Sequence, residues 1–123
     1  MNKELSIKNK NLHIELANTP LKRSLGLMYR KKLDPNMGML FIFPENNKKS
    51  FWMKDTHIPL SIAYINEDGV ILNIEDMDPF SLDSVLSMGP CRYALEVNRG
   101  WFKKNGIQAG DQINGIVGEA DDY

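Results

Sequence analysis

The stretch FWMKDTHIPLSIAYI, residues 51–65, carries the strongest structural signal in the chain. Its first part places an apolar cluster, 51–53, directly before a charged pair and a hydroxyl, 54–56. Its last part, 60–65, is a continuous apolar run of strand length that follows Pro59, which is typical of a buried β-strand. Large aromatic side chains beside a few polar groups are characteristic of ligand pockets. We therefore expect this stretch to supply a central strand and one wall of a binding site.

The composition is that of one globular domain. With 123 residues, of which 42% are hydrophobic and 25% charged, the chain can bury one core. We expect a single domain over 1–123, with 119–123 as a frayed acidic tail. The formal net charge of −1 gives no general basic field, so nucleic acid is not an expected partner. The single cysteine, Cys91, excludes an intrachain disulfide and a site built from several thiolates.

The sequence has no stretch with the character of a membrane span or a leader. Residues 1–11 alternate polar and apolar side chains and lack the apolar core of a signal peptide. No apolar run approaches the roughly 18 residues of a membrane helix, so a membrane is not an expected partner. We expect a soluble cytoplasmic protein, or an exported one if a signal peptide precedes this sequence in nature.

Short segments of alternating hydrophobicity predict a mainly β fold. Residues 5–8 and 12–17 alternate around a polar turn, which predicts a β-hairpin. Further strands are predicted at 39–43, 60–65, 70–74, 93–97 and 112–117. Because strands and helices do not alternate, a parallel sheet is disfavoured. We expect a β-rich α+β domain, a compact and mostly antiparallel barrel or sandwich of seven to eight short strands with two short helices at its edge.

Two helices and two loops complete the prediction. The first helix begins after the N-cap Thr19 and buries one face, formed by Leu21, Leu25 and Met28. Its basic residues are then solvated: Lys22, Arg23, Arg30 and Lys31. Gly26 inside this helix costs about 1 kcal/mol relative to alanine, so it should mark a close contact with the sheet. The second helix covers 99–105. Residues 44–50 are predicted to be a polar loop, and 75–90 to be the longest irregular segment, of a kind that is often functional.

Trp52, Lys54, Asp55 and Thr56 form the strongest candidate site. If Trp52 and Lys54 lie on one strand face, the ammonium group sits beside the indole, an arrangement that suits a sugar, a planar ring or a carboxylate. The alternative is a core tryptophan beside an ordinary surface ion pair worth less than about 1 kcal/mol. We favour the site because the charges interrupt an apolar run.

Glu96 lies in YALEV, residues 93–97, between two apolar neighbours. On an outward strand face its carboxylate is exposed to solvent. Facing a barrel interior it needs a partner, and Lys54 or Arg30 could serve. Both placements stay open at this point.

Other chemistries have weaker support. Two histidines, His13 and His57, without a thiolate cluster do not indicate a metal site. The acidic residues at the start of the 75–90 segment lack the spacing of a calcium loop. Cys91 has no histidine nearby and is not expected to be a nucleophile. There is no phosphate loop and no dinucleotide fingerprint, so no cofactor is expected.

A set of short patterns occurs in order along residues 17–117. They are GLM (26–28), GMLF (38–41), FWMK (51–54) with Thr56, IPL (58–60), DG (68–69), ALE (94–96) with Gly100, GI (106–107) and GD (110–111). In these patterns the chain resembles the domain of unknown function 192 family, also called uncharacterised protein family 0127. The resemblance implies a compact, mainly β domain, often exported, without a settled biochemical activity. It also implies Asn at position 55 and Asp at position 61, where this chain has Asp55 and Ser61.

Three functions are compatible with these observations. The first, which we favour, is non-enzymatic binding of a small polar ligand such as a saccharide or a carboxylate, through Trp52, Lys54, Asp55, Thr56 and Glu96. The second is a hydrolase or lyase with Lys54 or Asp55 as acid or base and Glu96 as the second group. The third is an interaction module that binds a protein partner through 75–90, for which an exposed patch around Met77, Phe80 and Leu82 would be expected.

Overall fold

The structure, a computed structural model, describes residues 3–116 and 118–120. Within these residues it confirms the mainly β fold, with nine strands and two short helices. The strands are β1 (Lys3–Ile7), β2 (Lys10–Ala17), β3 (Met37–Asn47), β4 (Ser50–Phe51), β5 (Leu60–Ile65), β6 (Ile71–Met77), β7 (Val85–Leu86), β8 (Cys91–Asn98) and β9 (Ile113–Asn114), and the helices are α1 (Pro20–Leu25) and α2 (Trp101–Lys104).

Most of the chain forms one curled sheet. Its strand order is β6-β5-β8-β3-β2-β1-β9, and a separate two-stranded sheet pairs β4 with β7. Every neighbouring pair is antiparallel except β2 and β3, which run parallel. Val70 bridges Gln112, and the N–H of Ile113 donates to the carbonyl of Gly69 at 2.8 Å. These bonds link the two edges of the curled, half-barrel sheet at this one point.

Turn residues with positive φ set the hairpins. Lys8 and Asn9 have φ of 47° and 65° and connect β1 to β2, as the tight turns of two-residue hairpins require. Gly69 has φ of 81° in the turn between β5 and β6. A Cβ on Gly69 would lie 2.6 Å from Nε2 of Gln112, at the seam of the half-barrel. Glycine is therefore needed there for both its conformation and its small size.

Alternate residues of the central strands feed two apolar cores, because successive side chains of a strand point to opposite faces. The inner core lies on the concave side and includes Leu40, Ile42, Leu95 and Val97, together with Trp101 and Phe102 of α2. The outer core covers the other face and includes Met39, Phe41, Ile62, Tyr64 and Ala94, together with Leu27, Met53 and Ile58 from the segments that cross that face. The small β4-β7 sheet lies against this outer face, where the Tyr64 hydroxyl donates to the Val85 carbonyl at 2.6 Å.

The predicted buried face of the first helix is wrong. Thr19 does cap the helix, since its Oγ1 accepts from the N–H of Lys22 at 3.2 Å. The helix then ends at Leu25, because Gly26 adopts a positive φ of 50° and caps it. A helix of six residues is too short to include positions i, i+4 and i+7, so Leu21, Leu25 and Met28 cannot share one helical face. No residue of α1 is buried, and Leu21 is 77% exposed. The predicted contact of Gly26 with the sheet is present, since a Cβ there would lie 3.3 Å from Cζ of Phe41.

Two predicted loops contain strands. β3 continues through 44–47, after a register shift against β8 that follows Ile42, and Ser50 begins β4. The shift lets Pro44, which has no N–H to donate, lie within the strand. The predicted 75–90 loop is shorter, because 75–77 belong to β6 and Val85–Leu86 form β7. A single domain over 1–123 stays a prediction, and its residues 1, 2, 117 and 121–123 lie outside the described residues.

Candidate functional site

A cavity of about 440 Å³ opens on the outer face of the sheet. Most of its lining is apolar or aromatic, with a few polar groups, and its volume is within the range of small-molecule sites. The lining residues are Pro20, Arg23, Ser24, Leu25, Gly26, Leu27 and Met28 from α1 and the turn after it, Phe41 and Phe43 from β3, Ser50, Phe51, Trp52 and Thr56 from the β4 region, and Glu96 from β8.

Three phenylalanines form one wall of the cavity. The ring of Phe51 contacts Phe41 edge to face at a centroid distance of 4.9 Å, and Phe43 at 6.1 Å. Phe51 also lies 5.9 Å from the ring of Tyr64 in the outer core. Edge-to-face contacts of this kind fix ring orientation and add to the stabilisation from burial. The three rings therefore pack against one another, and together they give the cavity an aromatic surface against which a ligand could pack.

Two cations lie near this wall. Cζ of Arg23 is 5.7 Å from the ring centroid of Phe43, and Nζ of Lys49 is 4.7 Å from the same centroid. Nη1 of Arg23 also donates to the carbonyl of Ile42 at 3.0 Å. Arg23, which the sequence predicted to be solvated, is thus part-buried and held at the cavity wall.

Thr56 is buried at the end of a tight turn. Its N–H donates to the Met53 carbonyl at 3.1 Å, and its Oγ1 donates to the Lys54 carbonyl at 2.9 Å. The N–H of Phe80 donates to the Thr56 carbonyl at 3.1 Å, which ties the turn to the segment after β6. Thr56 therefore shapes the cavity mainly by holding this turn in place.

Lys54 lies outside the cavity lining. Its Nζ is 5.5 Å from the Trp52 ring centroid, so the expected ammonium–indole contact is present. The side chain of Lys54 is exposed, and Trp52 lines the cavity while remaining 48% exposed. The interpretation of Trp52 as a core residue is therefore wrong, because it lies at the exposed part of the lining.

Asp55 also lies outside the lining and has a structural contact. Its Oδ2 accepts from the Tyr29 hydroxyl at 3.2 Å, and its carbonyl accepts from the Tyr29 N–H at 2.8 Å. The hydrogen bond to the Asp55 carboxylate raises the pKa of Tyr29. Asp55 thus joins the 52–56 turn to the segment after α1, the two parts of the chain that flank the cavity.

Glu96 is the buried ionisable group of the cavity. It is 4% exposed and pairs in register with Met39 of β3 and Ile62 of β5. Burial raises the pKa of Glu96 to about 8. The carboxyl group therefore carries its proton at neutral pH.

Both sequence-based placements of Glu96 are wrong. It lies on the outer face of the sheet, but the residues that cross this face bury it. Neither expected partner reaches it, because Lys54 is exposed and Arg30 forms a two-bond ion pair with Glu15, in which Nη2 and Oε1 are 2.9 Å apart. In the part of the chain that the structure describes, Glu96 has no hydrogen-bond or ion-pair partner.

The carboxyl oxygens of Glu96 open towards the cavity. Among the described residues, every fully buried side-chain nitrogen or oxygen atom has a hydrogen-bond partner. Since the Glu96 carboxyl makes no such bond and the residue lines the cavity, its polar atoms must be reachable from that space. A carboxyl group arranged in this way can donate a hydrogen bond to a bound molecule or accept one from it.

Residues 3–115 match the model of the DUF192 family, described as an uncharacterized ACR. The chain belongs to the DUF192 family. No match is found among curated protein sequences.

Two crystal structures are similar to this DUF192 domain. One is a "putative transcription regulator" from Sinorhizobium meliloti 1021, with 36% identity, a TM-score of 0.90 and coverage of 94% of both chains. The other is a protein of unknown function from Novosphingobium aromaticivorans, with 29% identity, a TM-score of 0.86 and coverage of 92% of this chain and 84% of that one. Both support the half-barrel as the fold of this domain.

The two departures from the expected DUF192 pattern lie outside the cavity lining. Asp55 has a φ of 54°, a conformation that Asn and Asp tolerate better than most residues, so either fits. Ser61 is buried and donates to Oδ1 of Asp76 at 2.8 Å while its Oγ accepts from the N–H of Gly100 at 3.1 Å. Asp76 thereby brings a carboxylate next to position 61. Neither departure changes a residue that lines the cavity.

The structure brings together three of the five predicted site residues of the DUF192 domain, namely Trp52, Thr56 and Glu96. Sequence reasoning missed the three phenylalanines and Arg23. Phe41 and Phe43 had a usable signal, because they are two residues apart in one predicted strand and therefore share a face. Arg23 had none, since its position depends on where α1 ends.

Two other features of the DUF192 domain bear on function. Across residues 3–116 and 118–120, no three His, Cys, Asp or Glu side chains come close enough together to hold a metal ion. In the same residues, no helix has the length and apolar character needed to cross a membrane.

Proposed function

We propose that this DUF192 domain is a non-enzymatic binding domain for a small polar organic molecule of the saccharide or carboxylate class. The observation that carries the proposal is Glu96, a buried carboxyl group without a partner among the described residues, on the wall of an aromatic cavity. Buried polar groups in folded proteins are nearly always hydrogen-bonded. A ligand in the cavity would supply the missing bond.

The lining supports a ligand with both an apolar and a polar part. The phenylalanine wall and Trp52 offer ring faces to a planar or saccharide body. Arg23, Thr56 and Glu96 supply the few polar groups that orient a ligand in sites of this type.

The placement of the other candidate groups favours binding over catalysis. The enzyme hypothesis requires Lys54 or Asp55 to act together with Glu96. Neither residue lines the cavity that Glu96 faces, and neither is bonded to Glu96. A general acid or base must lie within hydrogen-bond reach of the reacting group.

A thermal-shift screen of saccharides, monocarboxylates and amines tests the proposal. A compound that binds only the native state raises the midpoint of unfolding, so we expect at least one of these compounds to raise it. Ser24 is exposed on α1 and lines the cavity, so Ser24→Trp should obstruct the cavity and abolish the shift. Lys22→Trp is the matched control, because Lys22 is exposed on the same helix and does not line the cavity. No shift with any compound at millimolar concentration, or an equal shift in Ser24→Trp, would contradict the proposal.

A specific observation also favours the interaction-module hypothesis. Four large apolar side chains between 80 and 88 are exposed: Phe80, Leu82, Leu86 and Met88. Met77, which was expected in the same patch, is buried. Exposed apolar patches often mark association sites. Sedimentation of the protein across a hundredfold concentration range would detect self-association through these side chains. A dimer that persists in Leu86→Ser and Met88→Ser would exclude them as the association site.

The description of the Sinorhizobium neighbour raises nucleic acid as a partner. This chain has a formal net charge of −1, and its two described helices have six and four residues. A helix that reads the major groove is commonly longer and lies in a basic domain. Neither property favours DNA over a small ligand here.

A further inference from the structure

We infer that the cavity takes small organic carboxylates, and that Glu96 holds them as a neutral carboxylic acid that donates its proton in a hydrogen bond to the ligand carboxylate. This inference rests on the proposed function and names the ligand class within it. It also makes Glu96 the residue that determines specificity.

The geometry requires Glu96 to find its partner in the cavity. The residue is 4% exposed, lies between Met39 and Ile62 of the adjacent strands, and has no bond to a described residue. A protonated carboxyl group has one O–H donor, and a carboxylate is an acceptor with two oxygens. A hydrogen bond to an ionised acceptor is roughly twice as strong as one between neutral groups.

The ionisable groups of the cavity lining favour an anion over a cation. Of the described lining residues, Arg23 and Glu96 are the ionisable ones, so no described lining side chain is anionic while Glu96 keeps its proton. Tyr64 of β5 stays neutral, because burial raises its pKa. Thr56 of the 52–56 turn has no titratable group. No ionised carboxylate of the described lining is available to attract an amine.

The protonation state of Glu96 determines whether carboxylate affinity rises or falls with pH, and this direction can be measured. With a pKa raised to about 8 by burial, Glu96 donates to a carboxylate below pH 8 and repels it once ionised. Carboxylate affinity should thus fall as pH rises from 7 to 9. An amine would bind the ionised form and show the opposite dependence, while a saccharide has no charge to respond to this change.

Calorimetric titration of the full chain with benzoate, phenylacetate and hexanoate tests the inference, with 2-phenylethylamine and methyl glucoside as the other ligand classes. For a carboxylate that binds at pH 7, we expect affinity at pH 9 to be about tenfold weaker, because about one tenth of Glu96 is then protonated. Glu96→Gln keeps a neutral donor, so it should bind within about threefold of the parent at pH 7 and lose the pH dependence. Glu96→Met, similar in size but without a donor, should bind at least about tenfold more weakly.

The outcomes separate this inference from the proposed function. Binding of the amine or the glycoside without any carboxylate would overturn the carboxylate class and leave the binding function standing. Carboxylate binding that keeps its pH dependence in Glu96→Gln, or is unchanged in Glu96→Met, would overturn the role of Glu96. No binding of any probe would overturn both. The unfolding midpoint of each variant, measured alongside, establishes that it is folded.

Discussion

Replacing Glu96 by glutamine should stabilise the protein increasingly as pH rises. The ordinary glutamate pKa of 4.5 applies to the unfolded chain, and burial raises the native pKa to about 8. Below pH 4.5 the carboxyl is protonated in both states. Between these values the native state holds one proton more than the unfolded state, so stability falls by about 1.4 kcal/mol per pH unit. Over the whole interval the loss is on the order of 5 kcal/mol, which is a large share of a typical domain stability of about 5–15 kcal/mol.

Urea unfolding followed by tryptophan fluorescence at pH 5, 6, 7 and 8 measures this effect. We expect the parent and Glu96→Gln to have similar free energies of unfolding at pH 5, with the variant more stable by several kcal/mol at pH 8. Glu45→Gln, at an exposed position of β3, is the control and should follow the parent throughout. A difference between parent and Glu96→Gln that stays constant from pH 5 to 8 would refute the reasoning, because it would mean that Glu96 is ionised in the native state.

Three further predictions concern the cavity walls, and urea unfolding measures each of them. Gly26→Leu should destabilise by about 1–3 kcal/mol, because its φ is positive and a Cβ would crowd Phe41; an unchanged midpoint would show that the neighbouring ring moves aside freely. Phe41→Ala should cost about 3–5 kcal/mol and Trp52→Ala much less, since the first side chain is buried and the second is half-exposed; equal losses would contradict the cavity wall as described. Lys54→Ala should leave stability within about 1 kcal/mol, as expected for an exposed cation–π contact, whereas a loss of several kcal/mol would point to a buried role for Lys54.

The elements with a local signal could be predicted from the sequence. The β1-β2 hairpin follows from two alternating segments around a polar turn, and β5 follows from a continuous apolar run. The N-cap Thr19 also follows from local chemistry, since Pro20 fits the first helical position. The resemblance carried by the short patterns between 17 and 117 identified the family, which the match over 3–115 confirms.

The features that depend on tertiary packing could not be predicted. The early end of α1 is set by Gly26, whose positive φ of 50° caps the helix at a point where a Cβ would crowd Phe41 of β3. Glu96 alternates with Leu95 and Val97 as predicted. Strand alternation shows only that Glu96 lies on the opposite face of the sheet from these two residues, and does not show whether that face is covered. Which face is covered depends on how the residues around α1 and β4 fold over the sheet. The grouping of Lys54 and Asp55 with the other site residues rested on sequence adjacency, and a tight turn places adjacent side chains on different surfaces.

The most direct test of the account is the protonation state of Glu96, read from the carboxyl carbon resonance of ¹³C-glutamate-labelled protein between pH 5 and 10. Comparison with Glu96→Gln assigns the signal. We predict a protonated carboxyl at pH 7 and a titration midpoint near pH 8, shifted higher by a bound monocarboxylate because that ligand favours the neutral acid. A carboxylate signal at pH 7, or a midpoint that saturating ligand leaves unmoved, would contradict the account.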